Sequence, residues 1–234
     1  MTRFLVVAWA LASALTAING QTGRISSNSE LLNFMNSDLD YLRNQREKYS
    51  RIEGSAYLDE SFVNGTISVG GKRYGDLQLR LNPYEGAVEF RKDDQVMYFM
   101  PESARSDTVW IGDKVYVNVV RQDGKSLKSA FMQLVSQGKT RVLVYHEVQV
   151  TEPKAAQGYD EAKPAAFIHK PDAVYVQIAG KPAVEMKGRK SLGDVFGDDA
   201  DRVDAYSREH KLKLRSVEEV VALCEWYDSN GYLL

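Results

Sequence analysis

The sequence predicts a mainly β fold of the α+β class, in which an antiparallel meander forms a sandwich or a partly open barrel. An N-terminal helix and a C-terminal helical hairpin are expected to flank this meander. Three observations support the prediction. Apolar and polar residues alternate through much of residues 62–120, turn residues recur there about every ten positions, and helical patterns with capping residues occur only towards the two ends of the chain.

The clearest strand carries leucine at every second position, at Leu77, Leu79 and Leu81, with polar residues between them. Side chains on a strand point to opposite faces with a period of two, so this strand is expected to be buried on one face. Gly70-Gly71 before it is a hairpin signal, because glycine accepts the positive φ angles that two-residue turns need. Residues 82–86 supply a turn after it.

The other strands follow from the same reasoning. Residues 96–100 are apolar on both faces, which predicts a strand in the centre of the sheet. The strand pattern resumes over residues 130–150 around a hairpin at 136–139, and a last hairpin turns at 180–182. Between these two hairpins, residues 151–172 contain three prolines and are predicted to form a long surface loop.

A spaced motif covers the first of these strands. It comprises Glu53-Gly54-Ser55-Ala56-Tyr57-Leu58, Phe62, Gly65, Leu79-Arg80-Leu81-Asn82, Tyr84 and Glu89-Phe90. The motif resembles the pattern G-S-P-Y-L … F-x-x-G … L-R-Y-N-x-Y … E of a group of uncharacterised exported proteins of Bacteroidota-type bacteria. Ala56 stands where that pattern usually has Pro, and Leu81 where it often has Tyr. The resemblance covers about a quarter of the chain; it implies export and a β-rich fold, and it transfers no catalytic residue.

Residues 1–20 have the pattern of a signal peptide. Arg3 supplies a positive charge, and residues 4–17 form a mostly apolar run that is too short to span a bilayer. Cleavage is expected after Gly20, with Ala14 and Ala17 as alternative sites and an uncleaved membrane anchor as the alternative to cleavage. No cysteine follows the apolar run, which disfavours a lipoprotein. Because Cys224 is the single cysteine of the chain, no internal disulfide is expected.

The chain is weakly acidic, with a formal charge of −2. Loss of residues 1–20 removes one basic and no acidic residue, which leaves 29 basic against 32 acidic side chains, or −3. Such a protein has no general attraction for nucleic acid, so none is expected as a partner. No transmembrane helix is expected to remain after signal cleavage.

The predicted organisation has four parts: a signal peptide at 1–20, an N-terminal helical segment at 21–50, an antiparallel β domain at 51–188 and a C-terminal helical hairpin at 189–234. Within the second part, a helix is predicted over residues 27–46, where leucine and methionine side chains form one stripe.

Capping residues support the predicted helices. Ser27 and Glu30 have the spacing of a capping box, in which a hydroxyl and a carboxylate satisfy free backbone N–H groups at a helix start. Ser216 and Glu219 have the same spacing. Asp198 is predicted to be the N-cap of the first helix in the C-terminal hairpin.

No residue spacing typical of a catalytic or metal site occurs in the sequence. The three histidines, His146, His169 and His210, include no pair at helical ligand spacing, and none adjoins the cysteine. Phosphate-loop, dinucleotide-binding and nucleophile-elbow motifs are also missing. No catalytic residue, metal ligand or cofactor is therefore predicted. A Ser/His/Asp site assembled from distant residues stays open, because such triads are defined by geometry.

Four residues are predicted to contact a ligand or partner: Tyr57, Arg80, Tyr84 and Trp110. Aromatic residues and arginine are enriched at binding surfaces, and Tyr57 and Tyr84 lie at predicted strand ends. Burial of Trp110 in the core is an equally good alternative, because both faces of a sandwich strand can be covered.

The favoured function is that of an exported, periplasmic or secreted, non-enzymatic protein of the cell envelope that binds an unknown protein partner or an apolar ligand. One alternative is a hydrolase of envelope or extracellular material that uses His146 or His169 with carboxylates brought together by folding. Another is a structural or assembly component that acts through its sheet edges. A deep apolar cavity would favour a ligand carrier, and a histidine between a carboxylate and a serine hydroxyl would favour the hydrolase.

Overall fold

The computed structural model describes residues 49–92, 95–156 and 161–230. Strands hold 45% of the chain and helices 20%, so the prediction of a mainly β fold is confirmed. The predicted signal peptide at 1–20 and the predicted helix at 27–46 lie outside the described residues.

The described part of the chain contains twelve strands and three α-helices. The strands are β1 Val63–Val69, β2 Lys72–Asn82, β3 Ala87–Lys92, β4 Gln95–Phe99, β5 Thr108–Ile111, β6 Lys114–Asp123, β7 Ser126–Gln137, β8 Thr140–Tyr145, β9 Val148–Thr151, β10 Ala166–His169, β11 Ala173–Ile178 and β12 Val184–Glu185. The helices are α1 Leu192–Phe196, α2 Ala200–Glu209 and α3 Val217–Ser229.

Ten strands form one curled antiparallel sheet in the order β12-β11-β8-β7-β6-β5-β1-β2-β3-β4, and β9 pairs with β10 in a separate hairpin. The predicted hairpins are confirmed where glycines provide the turn. Gly70 and Gly71, with φ angles of 58° and 77°, join β1 to β2. Leu77 and Leu79, both fully buried, share one face of β2, as their alternation predicts.

One end of the sheet curls around a core on its first face. Phe99 of the edge strand β4 packs on Phe131 of β7, with 5.5 Å between ring centroids, although six steps in strand order separate β4 from β7. Large side chains such as Tyr74, Leu77 and Leu79 fill the space between them. The interior of this curl is therefore solid, as close packing requires of a folded core.

The other end of the sheet curls in the opposite sense. Ala183, just before β12, donates its N–H to the Val120 carbonyl and accepts from the Gln122 N–H, both at 2.8 Å. The strands β6, β7, β8, β11 and β12 are thereby linked in a ring, whose interior lies on the second face of the sheet. Apolar side chains such as Met132 and Leu143 fill it.

The three helices cover the outside of this ring. Side chains of β8 and β11, such as Val142 and Val176, pack against apolar residues of α1 and α3. The Ser216 cap is confirmed, because its hydroxyl accepts a hydrogen bond from the Glu219 N–H at the start of α3. No helix in the described ranges is both long and apolar enough to cross a lipid bilayer.

Three sequence-based predictions are wrong. The strand at residues 95–99, predicted to be central, is the edge strand β4. The predicted loop at 151–172 contains β10, because β9 offers Phe167 a pairing partner. Asp198 lies in a short 3₁₀ turn and does not cap α2, whose N-cap residue, Asp199, makes no side-chain capping bond either.

Candidate functional site

The candidate site begins with a buried ion pair between β2 and β3. Their hairpin register places Arg80 directly opposite Glu89 on the second face of the sheet. Glu89 is fully buried, and its Oε2 accepts hydrogen bonds from Arg80 Nε at 2.8 Å and Nη2 at 2.7 Å. Its Oε1 accepts from Asn82 Nδ2 at 2.7 Å. A buried carboxylate needs this number of donors, because desolvation otherwise penalises its charge.

Two aromatic rings enclose the guanidinium of Arg80. Its central carbon lies 3.6 Å from the ring centroid of Tyr57 and 4.3 Å from that of Phe62. Its Nη1 also donates to the Glu60 carbonyl at 2.7 Å. Arg91, an exposed side chain, lies 4.6 Å from the Phe62 centroid. A ladder of alternating rings and guanidinium groups therefore runs across the second face of β2 and β3, held by cation–π attraction.

A second group of rings adjoins the ladder. Tyr49, Tyr84 and Phe167 meet edge to face, with centroid distances between 5.1 and 5.8 Å. The Tyr49 hydroxyl donates to Glu85 Oε1 at 2.9 Å. Burial raises the pKa of Tyr49 well above its ordinary value, so the phenol remains a neutral donor at physiological pH.

The two groups together form what we call the arginine–tyrosine cluster, which comprises Tyr49, Tyr57, Phe62, Arg80, Tyr84, Glu89 and Phe167. It fastens two segments to the main sheet: residues 49–62, and the β9–β10 hairpin. The Glu53 N–H donates to the Ala165 carbonyl at 2.9 Å, and the Phe167 N–H donates to the Glu53 carbonyl at 2.8 Å. The hairpin is thus joined to residues 49–62 by backbone hydrogen bonds, and Phe167 also contacts Tyr84 in the β2–β3 turn directly.

Three of the four predicted contact residues come together in this cluster, namely Tyr57, Arg80 and Tyr84. Trp110 lies elsewhere, on β5 opposite Thr66, with the Arg73 guanidinium 4.9 Å from its ring centroid. Arg80 is 16% exposed, and its N–H groups already have acceptors within the protein. Its role in this geometry is to anchor residues 49–62 rather than to offer a free cation.

Sequence reasoning missed several members of the cluster, among them Glu89. The sequence did contain a signal for Glu89. In a hairpin, the residue numbers of every opposed pair add up to the same value, so the turn at residues 83–86 fixes all the pairs between β2 and β3. Once Asn82 is placed opposite Ala87, Arg80 must face Glu89. Tyr49 and Phe167 carry no such signal, since their contacts join segments that are far apart in sequence.

His146 is the histidine with the most complete set of partners. Its Nδ1 lies 2.7 Å from Asp172 Oδ1, its Nε2 lies 3.1 Å from Gln133 Oε1, and its side chain is 9% exposed. A histidine paired with a carboxylate is one half of a general-base arrangement. The other half differs here, because the second ring nitrogen faces an amide oxygen and not a serine hydroxyl.

Tyr116 lies beside His146, with 6.5 Å between ring centroids. Burial, followed by the nearby carboxylates of Asp113 and Asp172, raises the pKa of Tyr116 to about 12. The phenol is therefore neutral near neutral pH. His169, the other histidine considered for catalysis, is exposed and has its Nε2 3.0 Å from the Ser55 carbonyl oxygen.

Within the described ranges, no group of three or more His, Cys, Asp or Glu side chains is placed to hold a metal ion. Cys224 is a buried free thiol on α3. Burial raises its pKa to about 12, so it lacks the thiolate character that nucleophilic or redox-active cysteines need.

The edge strand β4 combines buried side chains with a backbone edge that is suited to pairing with another strand. Met97 and Phe99 are buried on one face and Tyr98 on the other, each no more than 6% exposed. Yet β4 pairs with β3 alone, and no backbone hydrogen bond joins residues 95–99 to another described segment. Among the described residues, the strand therefore has the buried faces of a central strand and the unpaired edge of a terminal one.

Comparisons of the chain with protein-family models, with curated proteins and with solved structures find no match.

Proposed function

We propose that this is an exported, non-enzymatic binding protein of the cell envelope, and that its partner is a protein that adds an extended segment to the outer edge of β4. The observation that carries the proposal is the mismatch at β4 between two buried faces and one open edge. An open edge presents N–H and C=O groups that a further strand can pair with. Addition of a strand is a common way for β proteins to bind extended peptides.

The interior of the sheet favours a protein partner over an apolar ligand. Both curls of the sheet are filled by their own side chains, including the fully buried Tyr74, Leu77 and Leu143. A carrier of apolar ligands instead encloses a cavity lined by such residues. The exported location rests on the pattern of residues 1–20 and on the resemblance of residues 53–90 to exported proteins.

The surroundings of β4 constrain what the partner strand looks like. The first face of β4 packs against the core of the first curl, and the second face lies beside the arginine–tyrosine cluster. A strand added beside β4 would continue both faces of the sheet. Its side chains on the first face are therefore expected to be apolar, and those on the second face are expected to suit aromatic and cationic neighbours. Because both faces of β4 are already covered, its recognition relies mainly on backbone hydrogen bonds, each contributing about 1 kcal/mol.

A gatekeeper substitution tests the proposal. Lysine on an edge strand opposes strand addition, and Val96, which is half-buried and opposite Arg91, offers a site for it. The matched control is Val135→Lys, at a 42% exposed valine on the interior strand β7. Proteins retained from envelope extract by the wild type and by Val135→Lys are expected to be lost with Val96→Lys.

Hydrogen exchange of the purified complex locates the contact. The amides of residues 95–99 are expected to gain protection when the partner binds, while those of the interior strand β7 stay unchanged. Equal retention by the two lysine variants, or protection confined to another surface, would contradict the proposal. A thermal melt of Val96→Lys that matches wild type separates loss of binding from loss of folding.

The His146–Asp172 pair supports a hydrolase as the second candidate function. Asp172 orients the ring as a catalytic carboxylate does. Replacement of Gln133 by a substrate hydroxyl or water at Nε2 would then give a general base. Hydrolytic activity on cell-wall or peptide substrates that disappears in His146→Ala and persists in His169→Ala would favour this candidate over the binding protein.

A further inference from the structure

An open cavity of about 250 Å³ lies between the β7–β8 turn and the β11–β12 turn. It is lined by Gly138, Lys139, Arg141, Gln177, Ala179 and Gly180. Its volume is below the roughly 300–1,000 Å³ typical of sites for drug-sized ligands. The cavity therefore suits a small ligand, or one chemical group of a larger molecule that stays in solvent.

The charge in this cavity is unbalanced. Among the described residues that line it, Lys139 and Arg141 are the two ionisable ones, and neither forms an ion pair with a described carboxylate. Asp228, the acidic residue that binds this turn, does not line the cavity. Both of its carboxylate oxygens accept from the Thr140 N–H, at 3.0 and 3.1 Å.

A second unsatisfied group lies next to these cations. Gln177 is directly opposite Arg141 on the neighbouring strand β11, and its Nε2 donates to the Lys181 carbonyl at 3.1 Å. Its Oε1 is buried and has no hydrogen-bond partner among the described residues. A buried acceptor without a donor is costly. Rotation of the Arg141 guanidinium onto this oxygen would supply the donor and leave the remaining N–H groups facing the cavity.

We infer that this cavity, which is separate from the β4 edge, binds the phosphate group of a phosphate monoester. Arginine offers a planar fork of donors that matches phosphate oxygens, and lysine adds a compact positive charge. A phosphate monoester carries a charge of about −1.5 to −2 at pH 7, which two cations balance. A single carboxylate would leave one of the two cations without a counter-charge.

The same chemistry occurs in soluble phosphate monoesters and in the headgroup of phosphatidic acid, and the test distinguishes them. Calorimetric titration of the protein uses glycerol 3-phosphate, with glycerol as the uncharged control. A parallel sedimentation assay uses phosphatidylcholine vesicles with and without phosphatidic acid. Binding in the first assay alone identifies a soluble ligand, and binding in the second alone identifies a lipid surface.

Charge-removing variants assign the binding to the cavity. Arg141→Gln and Lys139→Gln are each expected to weaken binding about tenfold, since each removes charge-assisted hydrogen bonds. Lys114→Gln, at an exposed lysine at the start of β6, should bind as the wild type does. Lys139 is exposed in a turn, so its substitution reports on binding even if Arg141→Gln lowers the melting temperature.

Binding that is equal in all four proteins, or no binding of wild type in either assay, would overturn the inference. Rising salt concentration is expected to weaken the interaction, because exposed charges are screened within about 8–10 Å at physiological ionic strength. Loss of phosphate binding leaves the proposed contact at β4 unaffected, since the two surfaces use different residues.

Discussion

Removal of Arg80 would test whether the ion pair with Glu89 holds residues 49–62 on the sheet. Arg80→Ala leaves the fully buried Glu89 with hydrogen bonds to the side chains of Asn82 and Tyr98 but without a cation. Loss of one partner from a buried ion pair costs about 3–5 kcal/mol. We expect about 3 kcal/mol, at the lower end, because Asn82 and Tyr98 remain as partners of Glu89 and Arg80 is already 16% exposed, so water can reach the vacated space.

Urea denaturation of the purified variant measures this change in the free energy of unfolding. Arg91→Ala is the matched control. This exposed arginine lies on the other side of Phe62 and forms no ion pair with a described residue, so its removal should cost no more than about 0.5 kcal/mol. A second variant, Arg80→Ala with Glu89→Gln, is expected to recover part of the loss, since the neutral amide has no charge to compensate.

Limited proteolysis adds a local readout. Arg80 contacts the Tyr57 ring and the Glu60 carbonyl, so its removal should make residues 49–62 the first site of cleavage while the rest of the sheet stays resistant. The reasoning is refuted if Arg80→Ala and Arg91→Ala are equally stable, or if the effects of Arg80→Ala and Glu89→Gln simply add.

Three further predictions concern the core and α3. Ser216→Ala should lower the free energy of unfolding by about 1 kcal/mol, because it frees the Glu219 N–H at the helix start; a denaturation midpoint equal to that of wild type would remove the capping assignment. Tyr74→Phe should stabilise the protein by about 1 kcal/mol, since the buried Tyr74 hydroxyl has no partner among the described residues, and a lower melting temperature would contradict this. Cys224, with a pKa raised to about 12, should resist a thiol reagent at pH 8 in the native protein and react fully in urea; fast native labelling would show that α3 opens.

The local pattern of the sequence predicted the strands and most of the turns, because these depend on neighbouring residues. Alternating leucines fix the buried face of β2. Gly70-Gly71 fixes a two-residue turn through its positive φ angles. Ser216 and Glu219 fix the start of α3 through bonds within one helical turn. In each case the interacting groups are at most a few residues apart, so their spacing carries the information.

The error at β4 has a different origin. Hydrophobicity on both faces of a strand reports what covers those faces, and it contains no information about the two backbone edges. One face of β4 is covered by the curl of its own sheet, as the contact between Phe99 and Phe131 shows, and the other face, with Tyr98, lies beside the arginine–tyrosine cluster. Asn82, the polar residue after Leu81, is buried for a related reason, because residues 49–62 cover the face that the alternation assigns to solvent.

The candidate sites differ in how far the sequence could reveal them. Arg80 and Glu89 meet through one hairpin, so register alone places them opposite each other. The proposed phosphate cavity lies between two turns, near Gly138 and Gly180. It exists because β11 pairs with β8 after the intervening β9–β10 hairpin. The pairing of Arg141 with Gln177 depends on that return, and no spacing within the chain encodes it. Whether a cation has a carboxylate partner depends on the folded surface and not on local sequence. The phosphate inference depends on two such cations, Lys139 and Arg141.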